Sequence, residues 1–158
     1  MSIVSLVVWL VLCFAAAALG GLAMPGAWYR ALNKPSWNPP DWLFAPVWTI
    51  LFIMMAVAAW LVWSRRSAAD VALAIGLFAL QLGLNPLWSW LFFGFHRPDF
   101  AFFEVMVFWL VILATTVAFW RISPLAGKLM LPYLAWVGFA SFLNLVLWRM
   151  NPDAVGRS

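Results

Sequence analysis

Five apolar runs, each near the ~20 residues that a bilayer core demands of a helix, constrain this chain more than any other feature. They lie at residues 3–24, 41–63, 71–93, 100–120 and 129–148. Short punctuation separates them: Pro25-Gly26, Ser64-Arg65-Arg66-Ser67, Gly94-Phe95-His96-Arg97-Pro98-Asp99 and Arg121-Ile122-Ser123-Pro124. In hydrocarbon every backbone N–H and C=O must be bonded within the protein, so such runs fold as helices. Charged residues are only 9% of the chain, against roughly 25% in a soluble domain. That deficit excludes the water-soluble classes. The fold expected is all-α, an integral membrane bundle of five transmembrane helices, with residues 1–158 as one multi-pass domain and loop 25–40 capping one end.

Residues 1–23 do not read as a signal peptide, having no basic leading region, too long an apolar run and no small-residue cleavage site. Five spans put the two ends of the chain on opposite sides. One side collects Arg65, Arg66, Arg121 and Lys128, the other Arg30, Lys34, Arg97, Arg149 and Arg157. Four against five sets no orientation, and which membrane holds the protein stays open. The formal charge of +4 reads as headgroup contacts and not as a nucleic-acid surface. Cys13 is the sole cysteine and His96 the sole histidine, which gives neither an intrachain disulfide nor a metal site.

Only the first connection is long. Within it residues 27–32 read as a short interfacial helix, and it runs into Trp37-Asn38-Pro39-Pro40-Asp41-Trp42-Leu43-Phe44-Ala45-Pro46-Val47-Trp48-Thr49. Adjacent prolines remove two N–H donors and hold the chain extended. Trp37 and Trp42 suit the headgroup level. Trp48 falls about six residues, roughly 9 Å, inside the helix. The expectation is a stiff aromatic lid over the mouth of a cavity that Trp48 lines.

Polar side chains inside spans need a partner or a ligand. Gln81 and Asn85 lie one turn apart, just before Pro86; Glu104 begins the fourth span, and Asn144 ends the fifth. Counted from the lid side, Trp48, Asn85, Glu104 and Asn144 fall in one layer roughly 6–12 Å deep. Trp136, Ala140 and Asn144 share one helix face, with Ala140 leaving a gap for a flat ligand. Each has a plainer use. Glu104 suits the helix dipole or a pair with Arg149, the amides suit interhelical bonds, Trp136 suits ordinary packing, and His96 suits interfacial solvent. Ala72, Gly76, Ala79 and Gly83 on the third span allow close helix approach, either within the chain or in a homodimer. The sequence has no catalytic triad, paired carboxylates or phosphate loop. Chemistry is left to the ligand or to the indoles, which are electron-rich enough to be oxidised beside a photoexcited pigment.

The residues that carry a resemblance are spread over four spans. They are Trp28-Tyr29, the Lys34-Pro35-Ser36-Trp37-Asn38-Pro39-Pro40-Asp41-Trp42 run, Ala45-Pro46-Val47-Trp48-Thr49 and Gln81-Leu82-Gly83-Leu84-Asn85, then Phe92-Phe93-Gly94, Pro132-Tyr133-Leu134-Ala135-Trp136, Leu143-Asn144 and Trp148-Arg149. In these the chain resembles the TspO/MBR family of tryptophan-rich sensory and translocator proteins. The resemblance implies a five-helix bundle, commonly dimeric, with a pocket under the first loop. It implies binding of porphyrins such as protoporphyrin IX and, in eukaryotic members, of cholesterol and benzodiazepine-type drugs. Light-dependent porphyrin breakdown through two pocket tryptophans is reported for some bacterial members, and those positions match Trp48 and Trp136. Tyr29, Asn85 and Ala140 match pocket-lining positions. Three departures stand out. Residues 144–149 lack the tyrosine of the family's sterol motif, Gly76 is followed by Leu80 where animal members carry a second glycine, and Phe100 replaces a tryptophan.

The function expected is binding of a porphyrin or other tetrapyrrole as ligand, with no cofactor required, in a pocket of Tyr29, Trp37, Pro40, Trp42, Phe44, Trp48, Phe52, Asn85, Trp88, Phe100, Trp136, Ala140 and Asn144. Trp48 and Trp136 are the candidates for photo-oxidative chemistry, alongside a sensory or regulatory role. The alternative is a transporter of porphyrins, lipids or sterols. The partners expected are the tetrapyrrole, membrane lipid and a second copy of the chain through the third span.

Overall fold

The computed structural model describes residues 1–157. Its elements are α1 (Ile3–Gly21), α2 (Ala27–Ala31), α3 (Asp41–Trp63), α4 (Ala72–Ser89, continued by a π-helical turn Trp90–Gly94), α5 (Pro98–Ile122) and α6 (Pro124–Met150), then a 3-10 turn Pro152–Ala154. All but α2 and the last turn are long and apolar enough to cross a membrane, which makes five spans. They close a ring in the order α1, α3, α6, α5, α4 and back to α1. The centre is filled by Cys13, Met55, Phe78, Ile112, Phe119, Met130, Tyr133 and Val137, among others.

The expected spans hold, but α5 and α6 extend toward each other through most of the expected 121–128 connection. The reason is local. Pro124 opens α6, where its missing N–H has no partner to lose, and the Ser123 side chain accepts from the Ala126 N–H. Gly127 then lets α6 lie on α5, because a Cβ there would come within 2.7 Å of the Trp120 ring and 2.8 Å of its backbone. Pro86 likewise does not end its helix. It is buried beside Gly20 of α1, and the hydrogen-bond ladder widens one turn later, where Phe95 N–H donates to the Trp90 carbonyl at 2.8 Å.

The small-residue stripe faces out. Ala72, Gly76, Ala79 and Gly83 are all exposed, and a Cβ added at Gly76 or Gly83 would meet nothing within 4 Å. Close packing inside one chain is therefore not what these residues do.

Candidate functional site

Tyr133 of α6 is the hub. Its ring is buried among apolar side chains, and its hydroxyl reaches across the centre of the ring of helices to α4. There it accepts from Asn85 Nδ2 at 3.0 Å and donates to Gln81 Oε1 at 2.7 Å. A phenol and two amides buried in a membrane span are costly unless each finds a partner. Here they satisfy one another.

Around this hub the aromatic residues converge from α3 and α6. Trp48 stands edge-on to Tyr133, centroids 6.2 Å apart, and packs on Phe52 at 5.7 Å. Trp136 meets Phe44 of α3 at 5.9 Å and Phe139 at 5.6 Å. Phe139 in turn meets Trp37 of the lid at 5.9 Å, and Trp37 stacks on Phe142 at 5.6 Å. Two aromatic groups thus line α3 and α6, one from Trp37 of the lid through Phe139 and Trp136 to Phe44, the other of Trp48, Phe52 and Tyr133 at the hub. Trp48 and Trp136 are half-buried and lean on rings of the bundle. The N–H groups of Trp28, Trp60, Trp88, Trp90 and Trp109 each reach a protein oxygen. Those of Trp48 and Trp136 reach none among the described residues.

Nearer the mouth a second tie joins three helices. Trp88 Nε1 donates to Asn144 Oδ1 at 2.9 Å, and Asn144 Nδ2 donates to the Pro98 carbonyl at 2.8 Å. The single polar layer expected is thus two tiers. Asn144 follows Tyr133 by eleven residues on α6, about 16 Å of helix rise. Counting residues from the membrane face ignored how far a long indole or phenol reaches. The amide donors of Asn85 and Asn144 join helices, which is the plainer of their two expected uses.

Over the mouth, Tyr29 is buried against Phe92 and Phe93 at 6.3 and 5.3 Å, and the Lys34 ammonium sits 4.7 Å from its ring. Burial pushes the Tyr29 phenol up from its ordinary value. Ala140 is half-buried on α6, while Pro40 is exposed at the N-terminus of α3. Two expected site residues lie apart from these aromatic groups. Trp42 is 72% exposed. Phe100, also exposed, carries the Arg97 guanidinium 4.0 Å from its ring, and that guanidinium is held in turn by both carboxylate oxygens of Asp99 at 2.9 and 2.6 Å.

Glu104 does not pair with Arg149. Its two carboxyl oxygens are buried and have no hydrogen-bond partner among the described residues. No group of His, Cys, Asp and Glu among those residues is placed to hold a metal. Two clefts, of about 510 and 360 Å³, lie elsewhere, the first between α2 and the segment after α6, the second along α5 and α6 beside Trp120. Neither is lined by Trp48 or Trp136.

The residue missed from the sequence is Tyr133 as hub, while Gln81, its acceptor, makes the interhelical bond that was the plainer of its expected uses. The signal was available, since a tyrosine amid an apolar span requires a partner for its hydroxyl.

Comparison with known proteins gives a consistent result. The model of the TspO/MBR family matches residues 9–149. Protein CrtK of Rhodobacter capsulatus is 40% identical over 153 residues, 96% of each chain. Tryptophan-rich protein TspO of Chlorobaculum tepidum is 44% identical over 157 residues, 95% of this chain and 98% of the relative. The human translocator protein is 40% identical over 126 residues, 78% of this chain and 75% of the relative.

Proposed function

This chain belongs to the TspO/MBR family of integral, multi-pass membrane proteins, and from that premise we propose that it binds a flat tetrapyrrole such as protoporphyrin IX between α3 and α6, against Trp48 and Trp136. The observation that carries the reading is the placing of these two indoles, with unpartnered N–H groups, on the facing helices α3 and α6, Trp48 against Tyr133 of α6 and Trp136 against Phe44 of α3. A planar ligand gains large apolar contact from such rings. The polar groups beneath are already satisfied, so the floor of the site does not compete for ligand atoms. Because Trp136 packs on Phe44 and Phe139 and Trp48 on Phe52, binding parts these ring contacts, with the lid lifting above them.

Under illumination, one electron passes from an indole to the excited porphyrin. The resulting porphyrin anion hands it to dioxygen, giving superoxide, and the indole cation takes an electron back from the ground-state pigment, so the tryptophan is restored and a porphyrin cation is left. Superoxide and that cation combine across one bridging carbon–carbon bond, which breaks as both atoms of the dioxygen become carbonyl oxygens of the opened pigment. Titrating the purified protein with protoporphyrin IX while following tryptophan emission tests the binding step. Saturable quenching is expected, most of it lost when Trp48 and Trp136 are both phenylalanine. Linear, unsaturable quenching would sink the reading.

The relatives from animals bear the name translocator protein, which favours a second reading, movement of a porphyrin or lipid between leaflets. Flux of a fluorescent porphyrin into proteoliposomes separates the two. For assembly, the outward stripe Ala72, Gly76, Ala79 and Gly83 is the face on which a second copy packs. Disulfide crosslinking of Gly76→Cys in the membrane is the check, and an unlinked chain under oxidation counts against the dimer.

A further inference from the structure

α2 has five residues and no side-chain cap at Gly26, too little to hold a helical turn by itself. It is held from two sides. Inward, Tyr29 and Leu32 are buried in a cluster with Phe92, Ala101, Leu143 and Leu147. Outward, the grip comes from segment 151–157, which follows α6. Trp28 Nε1 donates to the Ala154 carbonyl at 3.0 Å. The Asn33 N–H donates to Asn151 Oδ1 at 2.8 Å, while Asn151 Nδ2 donates back to the Asn33 carbonyl at 2.8 Å. These bonds join parts of the chain more than a hundred residues apart, by 118 and 126 positions.

His96 closes the arrangement. Its ring stacks on Trp28 with centroids 4.6 Å apart and planes 9° off parallel. Its Nδ1 lies 2.8 Å from the Arg157 carbonyl, so that nitrogen carries the proton and donates. Its own carbonyl accepts from the Gly156 N–H at 2.8 Å. His96 has φ 56° and Gly156 φ 72°, both left-handed. A histidine adopts that conformation at some cost, and here three contacts hold it there. Between these points of attachment runs the 510 Å³ cleft, so on the side facing segment 151–157 α2 is pinned by discrete bonds and not by a continuous packed wall. Pins of that kind can release without disturbing the bundle.

We infer that segment 151–157 is a strap that holds the lid down over the mouth, and that release of Trp28 and Asn33 from it is the opening motion of the protein. Asn151, Trp28 and His96 are positioning residues, acting on the lid and not on the ligand. This goes beyond the binding proposal and is testable without any ligand.

The experiment is amide hydrogen exchange on the full chain in lipid nanodiscs, comparing Asn151→Ala and Trp28→Phe with the parent. Asn151→Ala removes both bonds to Asn33, and exchange at residues 27–38 should quicken by about tenfold or more, given roughly 1–3 kcal/mol for such bonds. Trp28→Phe keeps the ring stack and loses one bond, so several-fold is expected. Asn151→Asp keeps the acceptor for the Asn33 N–H and should fall between parent and Asn151→Ala. Exchange in α3 and α6 should stay as it was. Unchanged exchange at 27–38 in both substituted chains overturns the strap, and so does acceleration spread equally over the bundle. In a second arm, stopped-flow with protoporphyrin IX should show entry and release both faster, by similar factors, with equilibrium affinity little altered. Faster exchange with unaltered porphyrin rates would overturn the lid as the gate. If the parent binds no porphyrin, the functional proposal falls and the exchange result still decides the strap.

Discussion

Two sets of tryptophans occupy this bundle and differ in what their N–H groups do. Trp28, Trp88 and Trp90 each donate to an oxygen on a distant segment: the Ala154 carbonyl, the Asn144 amide and the Leu19 carbonyl. They are braces, and their rings are oriented by those bonds. Trp48 and Trp136 have no such bond among the described residues, as is also true of Trp9 and Trp63, and they are held by packing on other rings and on the core. Ring contacts are weakly directional and easily exchanged for contacts with another flat molecule. A brace keeps its place, whereas on the binding proposal the indoles Trp48 and Trp136 give way to the ligand.

The sharpest way to break that distinction is to remove these two indoles. With Trp48 and Trp136 both changed to phenylalanine, light-driven decay of bound protoporphyrin IX absorbance should slow by about tenfold or more, roughly 1.4 kcal/mol in barrier. Porphyrin affinity should change much less, because phenylalanine keeps most of the apolar surface. Equal slowing on Trp88→Phe would erase the difference between the two sets. The next largest effect is on stability. Tyr133→Phe leaves Asn85 Nδ2 and Gln81 Oε1 without their shared partner, which costs about 1–3 kcal/mol for each unmatched group. Denaturant titration in detergent reads it. Trp88→Phe strips Asn144 Oδ1 of one donor and should cost about 1–3 kcal/mol in the same assay. Trp48→Phe alone should stay within about 1 kcal/mol, since no hydrogen bond is lost. A larger loss at Trp48 than at Trp88 would reverse the distinction.

The smallest effect concerns pH. Burial raises the Tyr29 phenol above its ordinary value of 10.0, so its neutral form is the one the closed lid accommodates. That contribution is whole below the unfolded value and fades as pH rises through the raised one. Exchange at residues 27–38, corrected for the intrinsic rate, should therefore climb only in strongly alkaline solution, and Tyr29→Phe should abolish the climb.

Much of this was legible before any coordinates. Hydropathy and punctuation located all five spans, because a bilayer leaves little choice of structure. Spacing also showed which residues share a helix face. It does not show where a face points, which is why Gly76 and Gly83 turned out to look outward. The start of α6 was misplaced because Ser123-Pro124 punctuates a loop and opens a helix equally well. Glu104 and Arg149 were matched by depth alone, and depth says nothing of bearing around the helix axis. Tyr133 was passed over because its single hydroxyl weighs little in any hydropathy count, yet its hydroxyl ties α6 to α4 across the centre.

That crossing has a bearing on traffic. The Gln81–Tyr133–Asn85 link lies athwart the bundle like a bolt across a corridor. Anything travelling end to end along the axis would first have to sever both of its buried hydrogen bonds. On the binding proposal, a ligand admitted at the lid meets a blind alley there, and its cheapest exit is back by the door it used.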